Sequence, residues 1–145
     1  MHDLPRQLTV EQLAELFEGR TRLVEKLAGR ENPLTTASEV ITELNEDEKL
    51  EALNAHPAIG ARSLSARSAA EQGTDDAPET LAELERLNAE YENRFGFRFV
   101  VFVNRRPKSE IVPILRERLE RTREEELDTA ARELVAIAED RWRRS

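Results

Sequence analysis

Apolar residues recur at three- and four-residue steps along most of the chain, the spacing that places them on one face of an α-helix. Thr9 and Gln12 form the pattern of a capping box before the first such stripe, so we expect helix one over about residues 10–18. Gly29 should end a second short helix, and Pro33 separates it from a third. The chain therefore opens with several short helices.

The middle of the chain continues this helical pattern. A fourth helix should begin at Asn45 or the next residue and end before Pro57, because the residue that precedes a proline avoids helical backbone angles. We predict a short helix over residues 63–72, followed by a Gly- and Asp-rich loop. The spacing of leucine and aromatic residues over 81–95 predicts a long amphipathic helix that ends at Gly96.

Residues 97–103 interrupt the helical pattern with a run of aromatic and β-branched side chains. Periodicity alone favours a buried strand here, but the chain contains no second segment of comparable β character that could pair with it. We therefore predict an extended, irregular segment threaded through a helical core. Its backbone N–H and C=O groups then need partners other than those of a β-ladder.

Two further helices complete the expected fold. The first carries Ile111 and should contain Pro113 within about its first turn, where proline is tolerated. Thr122 and Glu125 form a second capping box before the last helix. That helix should present an apolar face made of Leu127, Ala131, Leu134, Ile137, Ala138 and Trp142. The prediction is an all-α fold with about seven to eight helices in a single compact domain over residues 1–145.

Composition narrows the class of protein. The 145 residues include 22 basic and 30 acidic side chains and no cysteine. Without cysteine, disulfides, thiolate nucleophiles, zinc fingers and iron–sulfur clusters are excluded. A nucleic-acid surface requires a concentration of positive charge, which neither part of the chain has. The residues before Arg105 include 11 basic and 20 acidic side chains, and the residues from Arg105 onward include 11 basic and 10 acidic side chains. No apolar run is long enough to span a membrane and no signal peptide is evident, so we expect a soluble cytoplasmic protein.

Acid–base chemistry near neutral pH points to His56. The only other histidine is His2, close to the chain terminus, and one internal histidine without cysteine does not make a transition-metal site. His56 lies where a helix must stop before Pro57, so a fixed turn can hold its imidazole over a cleft. The structural alternative is a histidine that caps carbonyl groups at a helix end.

Two other stretches have unusual composition. In residues 68–72, two alanines leave room for Glu71 and Gln72 to meet a ligand, although an exposed helix end explains the same pattern. In residues 87–100, aromatic side chains are concentrated around Gly96 in a chain that is only 5% aromatic. For most of these aromatic side chains, packing in the core is sufficient explanation.

Taken in order, these features resemble one family, the 2-oxo-4-hydroxy-4-carboxy-5-ureidoimidazoline (OHCU) decarboxylases, over nearly the whole chain. The order and spacing of the motifs carry the resemblance: His56-Pro57 with Ile59-Gly60, Ser68-x-x-Glu71-Gln72, Leu87-Asn88-x-x-Tyr91-x-x-Arg94-Phe95-Gly96-Phe97-x-Phe99-Val100, and Ser109-Glu110-Ile111 with Arg118-Leu119. The family is all-helical and commonly dimeric. The resemblance therefore implies a homodimeric carboxy-lyase that forms (S)-allantoin in urate (purine) degradation.

The resemblance also implies roles for individual residues. His56 would be the proton donor and Glu71 its partner carboxylate in the same pocket. Backbone groups of the extended segment would hydrogen-bond the ureido and ring amides of a flat, polar substrate. The residues implied to bind substrate are Pro57, Ser68, Ala69, Ala70, Glu71, Gln72, Phe99, Val100, Val101, Phe102 and Val103.

The implied substrate explains why few catalytic groups suffice. Its departing carboxylate is attached to a carbon next to a ring C=N bond, so the electrons left behind delocalise into that imine. No pyridoxal phosphate, thiamine or metal cofactor is then needed. The protein supplies orientation, hydrogen bonds to developing charge, and one proton delivered to one face.

The sequence departs from the family at Asn104, where many members carry a basic residue. Arg105 or Arg62 would replace that charge near the substrate carboxylate, or the pocket takes a related ring with different substituents. The chain between Pro57 and Ser68 also looks short beside many relatives. Two alternatives therefore stand beside the first interpretation: a lyase for another ureido- or hydantoin-like ring acid, and a helical interaction module without turnover.

Overall fold

The computed structural model describes residues 4–56 and 77–144. The helix predicted over 63–72 lies outside the described residues. In the described ranges the chain forms seven helices and no strand, which confirms the all-α class. The helices are α1 (Val10–Leu16), α2 (Arg22–Ala28), α3 (Pro33–Glu43), α4 (Glu46–Asn54), α5 (Pro78–Phe95), α6 (Lys108–Leu119) and α7 (Arg123–Arg144).

Helix ends follow the local sequence signals. The Thr9 hydroxyl accepts the backbone N–H of Gln12 while the Gln12 side chain accepts the backbone N–H of Thr9, so the first predicted capping box is present. Thr122 and Glu125 make the same reciprocal pair before α7. Gly96 ends α5 with φ of 81°, a left-handed conformation that glycine adopts without a Cβ clash. The predicted boundaries at these positions are confirmed to within a residue or two.

Pro113 is the main surprise among the helix signals. Helix α6 begins at Lys108, three residues before the first residue of its predicted apolar stripe, so Pro113 is its sixth residue and lies beyond the first turn. Proline has no N–H to donate to the carbonyl of Ser109, yet the helix continues to Leu119. The expectation that Pro113 occupies about the first turn was therefore wrong, because the helix starts earlier than its apolar pattern.

The buried face of α7 is also shifted at both ends. Leu127, Ala131 and Trp142 are only half-buried, whereas the buried residues are Glu126, Ala130, Leu134, Val135, Ile137, Ala138 and Arg141. The spacing of apolar residues alone does not show which face of α7 is buried, because two of the buried residues, Glu126 and Arg141, are charged. Each of these charges is paired inside the protein, which is what makes its burial tolerable.

The structure divides into two compact units, and their described parts are residues 4–56 with 128–144, and residues 77–127. The prediction of one domain over 1–145 stays a prediction. In the first unit α2 packs against α1, α3 and α4. Its buried apolar residues include Leu13, Leu23, Leu27, Leu34 and Leu134. None of the described helices is long and apolar enough to cross a membrane.

Within the first unit, Arg141 donates hydrogen bonds at the C-terminal end of α1. Its guanidinium donates to the carbonyl of Leu16 at 3.0 Å and to the carboxylate of Glu18 at 2.9 Å. Glu18 itself adopts a positive φ of 62°. A buried arginine thus satisfies carbonyl groups at the C-terminus of α1, and the carboxylate balances its charge.

Glu51 connects α4 to the start of α2. Its carboxylate accepts the backbone N–H of Arg22 at 2.7 Å and the Arg22 Nε at 3.3 Å. The backbone N–H, followed by the guanidinium, holds the pKa of Glu51 below its ordinary value. Because the pKa is lower in the folded protein, this contact stabilises the fold above the ordinary pKa and is lost as the pH falls through the folded pKa.

We therefore expect the stability difference between the wild type and Glu51→Gln to be largest near neutral pH and to shrink as the pH falls to about 3. Urea unfolding at a series of pH values measures this difference. Glu39→Gln, at an exposed position on α3, is the matched control. A difference between the wild type and Glu51→Gln that stays constant with pH would contradict the analysis.

Candidate functional site

His56 follows the last turn of α4. The Asn45 capping box with Glu48 begins this helix, and Ala55 is its C-cap. The backbone N–H of His56 donates to the carbonyl of Leu53 at 3.2 Å, so the residue continues the helix end by one tight turn. His56 is only 5% exposed. The predicted proton donor is therefore a buried residue at a well-defined helix terminus.

Two other elements of the first unit, the turn after α1 and helix α2, contact α4, the helix that His56 follows. A Cβ atom added to Gly19, in the turn after α1, would lie 3.4 Å from the Cβ of Ala55. The turn therefore passes close to the residue before His56, with little space between them. Lys26 of α2 pairs with Glu48 near the start of α4 at 3.2 Å. Together with the contact between Glu51 and Arg22, these contacts hold α4, and so the backbone of His56, in one place.

The predicted extended segment 97–103 is neither helix nor strand, as expected. Five residues of this segment, Phe99 to Val103, are predicted to bind substrate; four of them are buried and Phe102 is half-buried. Arginine side chains supply the partners that three carbonyl groups of the segment need. Arg118 Nη1 donates to the carbonyl of Val100 at 2.8 Å, and Arg106 donates to those of Phe102 at 2.7 Å and Val103 at 2.8 Å.

Aromatic side chains pack around the start of the segment. The Tyr91 ring lies 4.6 Å from that of Phe95, 5.9 Å from that of Phe97 and 5.2 Å from that of Phe99, measured between centroids. The angles between ring planes range from 57° to 80°, the tilted and edge-on geometries that aromatic pairs prefer. Core packing, the plain interpretation of the aromatic motif, is confirmed for these four residues.

A buried charged network lies beside this aromatic cluster. The side chain of Glu126 is fully buried and that of Arg118 is 6% exposed. Glu126 Oε1 accepts from Arg118 Nε at 2.7 Å and from the Tyr91 hydroxyl at 2.6 Å, and its Oε2 accepts from Arg121 Nη1 at 3.1 Å. Burial, and then the hydrogen bond to Glu126, raise the pKa of Tyr91 far above its ordinary value. The phenol is thus the donor and the carboxylate the acceptor in this hydrogen bond.

Sequence reasoning missed this network. It used Arg118 only as part of a motif and assigned no role to Glu126. One signal was available: Arg118 follows Ile111 by seven residues and Leu115 by three, so it occupies the apolar face of α6. A charged residue at such a position requires a buried partner, and the sequence pattern does not show which carboxylate provides it.

The turn after the segment holds two residues in the left-handed region. Asn104 has φ of 51° and Arg105 has φ of 61°, and both are exposed. Non-glycine residues in this region each cost on the order of 1 kcal/mol or more, so the surrounding structure must impose the turn. The Arg106 backbone N–H, which donates to the carbonyl of Val103 at 3.1 Å, closes it.

The remaining predicted site residues lie outside the described residues. These are Pro57, Ser68, Ala69, Ala70, Glu71 and Gln72, together with Arg62 as one candidate counter-ion. His56 belongs to the first unit, and the segment 99–103 and Arg105 belong to the second. The pairing of His56 with Glu71 stays a prediction.

Comparison with known proteins adds independent evidence. The chain matches the model of the family described as OHCU decarboxylase over residues 2–143. It is 32% identical over 124 residues to the uric acid degradation bifunctional protein TTL of Arabidopsis thaliana, which covers 74% of this chain and 38% of that protein. It is 31% identical over 103 residues to a 2-oxo-4-hydroxy-4-carboxy-5-ureidoimidazoline decarboxylase of Halalkalicoccus jeotgali, covering 68% and 58% of the two chains. The chain thus spans less than two thirds of the length of both relatives.

Solved structures give the same picture of the fold. A crystal structure of OHCU decarboxylase in the presence of (S)-allantoin matches with a TM-score of 0.75 and 26% identity, covering 90% of this chain and 94% of that one. A crystal structure of (S)-allantoin synthase matches with a TM-score of 0.67 and 24% identity, covering 91% of this chain and 47% of that one. The helical fold of this chain is therefore similar to that of both solved structures. The chain belongs to the OHCU decarboxylase family.

The hydrogen bond from the Tyr91 hydroxyl to the buried carboxylate of Glu126 should stabilise the folded protein. We expect Tyr91→Phe to lower the free energy of unfolding by about 1–3 kcal/mol, because a buried carboxylate loses one of its donors while the ring packing is kept. Urea unfolding measures this change. In a double-mutant cycle with Glu126→Gln, the two effects should not add. A loss below about 0.5 kcal/mol, or simple additivity, would show that the hydroxyl is not coupled to Glu126.

Proposed function

We propose that this protein catalyses the cofactor-independent decarboxylation of 2-oxo-4-hydroxy-4-carboxy-5-ureidoimidazoline to (S)-allantoin, a step of urate degradation. The observation that carries the proposal is the family match over residues 2–143, which includes every residue predicted for the site. A relative from Haloferax volcanii, named as a decarboxylase of this substrate, supports it, since its 28% identity over 142 residues covers 90% of this chain and 84% of that protein.

The proposed reaction begins with cleavage of the bond between the ring carbon and its carboxylate. Carbon dioxide leaves, and the electron pair of that bond delocalises into the adjacent C=N bond of the ring. A proton is then added from one face to the neighbouring ring carbon, which bears the ureido group, and this sets the (S) configuration of the product. The proton of the hydroxyl group on the carbon that lost carbon dioxide moves to the ring nitrogen of the former C=N bond, so that this hydroxyl becomes the ring carbonyl of allantoin. Because the substrate provides its own electron sink, the protein has to provide orientation, charge stabilisation and the proton.

In this proposal His56 delivers the proton and Glu71 hydrogen-bonds the tertiary hydroxyl of the substrate and favours the protonated imidazole. The burial of His56 directly after the end of α4 supports its part, because a proton donor must be held in one orientation toward one face of the ring. Glu71 is proposed from the family motif alone.

Pro57, residues 68–72 and the segment 99–103 are proposed to line the substrate. Three carbonyl groups of the segment already accept hydrogen bonds from arginine side chains, so we assign substrate binding chiefly to its backbone N–H groups. A planar, amide-rich ligand offers carbonyl oxygens to match such donors. Arg105, exposed on the turn after the segment, or Arg62 is proposed as the counter-ion of the departing carboxylate.

Further parts of the proposal concern the assembled protein. We propose a cytoplasmic homodimer that binds a small-molecule substrate and neither nucleic acid nor membrane. Light scattering coupled to size-exclusion chromatography measures the oligomeric state directly.

The deciding experiment is a coupled assay in which urate oxidase and hydroxyisourate hydrolase generate the unstable substrate in place and circular dichroism follows allantoin. We expect rapid formation of (S)-allantoin by the wild type. His56→Asn should lower kcat by about 10²–10⁴-fold, the typical contribution of a general acid. His2→Asn, at the other histidine of the chain, is the matched control.

The possible results separate the candidate functions. A racemic product formed at the spontaneous rate would contradict the proposal. Turnover of a related ureido or hydantoin-like acid in its place would favour the second candidate, which Asn104 supports because many family members carry a basic residue there. Absence of turnover on all such ring acids would favour a non-catalytic module.

The proposed carboxylate partner makes a separate prediction about pH. If Glu71 favours the protonated imidazole of His56, Glu71→Gln should lower kcat and move the alkaline limb of the pH–rate profile to lower pH, because an opposite charge has been removed. Glu79→Gln, at an exposed position in the first turn of α5, is the matched control. An unchanged rate and an unchanged profile for Glu71→Gln would show that the two residues are not paired.

A further inference from the structure

We propose that Arg118 is a positioning residue that orients the backbone of the extended segment so that the Val101 amide N–H is aimed at the substrate. The inference rests on the proposed function, because it takes the segment 99–103 as one wall of the substrate pocket. Arg118 itself does not contact substrate in this proposal. It acts through the peptide group that joins Val100 to Val101.

The guanidinium of Arg118 contacts two consecutive residues of the segment. Its Nη1 donates to the carbonyl of Val100 at 2.8 Å, and its central carbon lies 4.5 Å from the centroid of the Phe99 ring. One contact is a directional hydrogen bond and the other is a cation–π contact with the face of the ring. Together they define both the position and the rotation of the backbone at this point.

A peptide group is planar and trans, so its C=O and N–H point in opposite directions. When Arg118 holds the carbonyl of Val100, the N–H of Val101 must point away from Arg118. A rotated peptide would instead present a carbonyl oxygen where a carbonyl-rich ligand needs a donor. The orientation of this single peptide therefore decides whether the segment attracts or repels the proposed substrate.

Arg118 can act as such an anchor because it is held on its other side. Its Nε donates to the fully buried Glu126 at 2.7 Å, and the same carboxylate also accepts from Tyr91 and Arg121. The planar guanidinium cannot rotate without breaking the bond to Glu126 or the bond to Val100. Through this network, residues of α5, α6 and α7 together hold the peptide group between Val100 and Val101 in one orientation.

Stability alone is a poor explanation of this network. Burying an arginine and a glutamate removes both from water, and well-packed apolar residues of similar volume are often as stabilising. The guanidinium adds what an apolar residue cannot, a donor with a fixed direction. Arg106 repeats the arrangement further along, where it holds the carbonyls of Phe102 and Val103.

Arg118→Lys tests the proposal, because lysine keeps the charge but replaces the planar fork by a single point donor. We expect KM in the coupled assay to rise on the order of tenfold or more, with a smaller fall in kcat, since the variant misplaces a binding group and leaves the proton donor unchanged. The Kd of (S)-allantoin, measured by calorimetry, should rise in parallel. The change in the Val101 ¹H–¹⁵N NMR signal on adding (S)-allantoin should be lost.

Leu84→Ala is the control for general destabilisation. Leu84 is fully buried on α5, two turns before Tyr91, and makes no part of the network. It should lower Tm with KM and the Kd of (S)-allantoin unchanged. If Arg118→Lys does not fold, Glu126→Gln decides, because it keeps the shape of the anchor and weakens its hold on Arg118; the same changes in KM and in the Val101 signal are expected.

Three results would overturn the inference. An active Arg118→Lys with the KM and the Val101 response of the wild type would show that Arg118 is structural only. Equal changes in KM for Leu84→Ala would show that the effect is general destabilisation. A wild type that neither turns over the substrate nor binds (S)-allantoin would refute the proposed function, and the inference would fall with it.

Discussion

The second unit depends on the hydrogen bonds that its buried carboxylate, Glu126, accepts. This carboxylate is fully buried, and the side chains that donate to it come from α5, from α6 and from the turn that follows α6. A buried carboxylate must be matched by donors, so this one charge determines which faces of α5 and α6 turn inward around it. Arg118, which donates to this carboxylate, also donates to the carbonyl of Val100 in the extended segment.

Arginine serves the same purpose elsewhere in the protein. Arg141 supplies donors to the C-terminal carbonyls of α1, and Arg106 supplies them to the end of the extended segment. In each case a backbone carbonyl without a helical or sheet partner meets a planar group with several donors. This explains how an all-helical core accommodates an irregular stretch of backbone. It also gives a structural use to part of the arginine-rich composition.

Much of the secondary structure could be predicted from local signals. The described helices were indicated by two capping boxes, by the glycines that end helices, Gly29 and Gly96, and by the three- and four-residue apolar spacing. The absence of a second β-like segment excluded a sheet. The phase of α7 and the start of α6 could not be predicted. The phase of α7 depends on Glu126 and Arg141, which are buried because partners elsewhere in the chain pair with them, and periodicity counts only apolar residues. The start of α6 depends on Lys108, Ser109 and Glu110, polar residues that precede the first apolar residue of the stripe.

The sequence by itself determined the helical class, the place of His56 at a helix end before a proline, and the need of segment 97–103 for unusual backbone partners. Local backbone preferences and the number of available strand partners suffice for these conclusions. Only the tertiary structure decided that Arg118 and Arg106 are those partners, and that Glu126 with Tyr91 holds Arg118 in place. The reason is geometric: a chain with 19 arginines offers many candidate donors, and packing alone selects which of them reaches a given carbonyl.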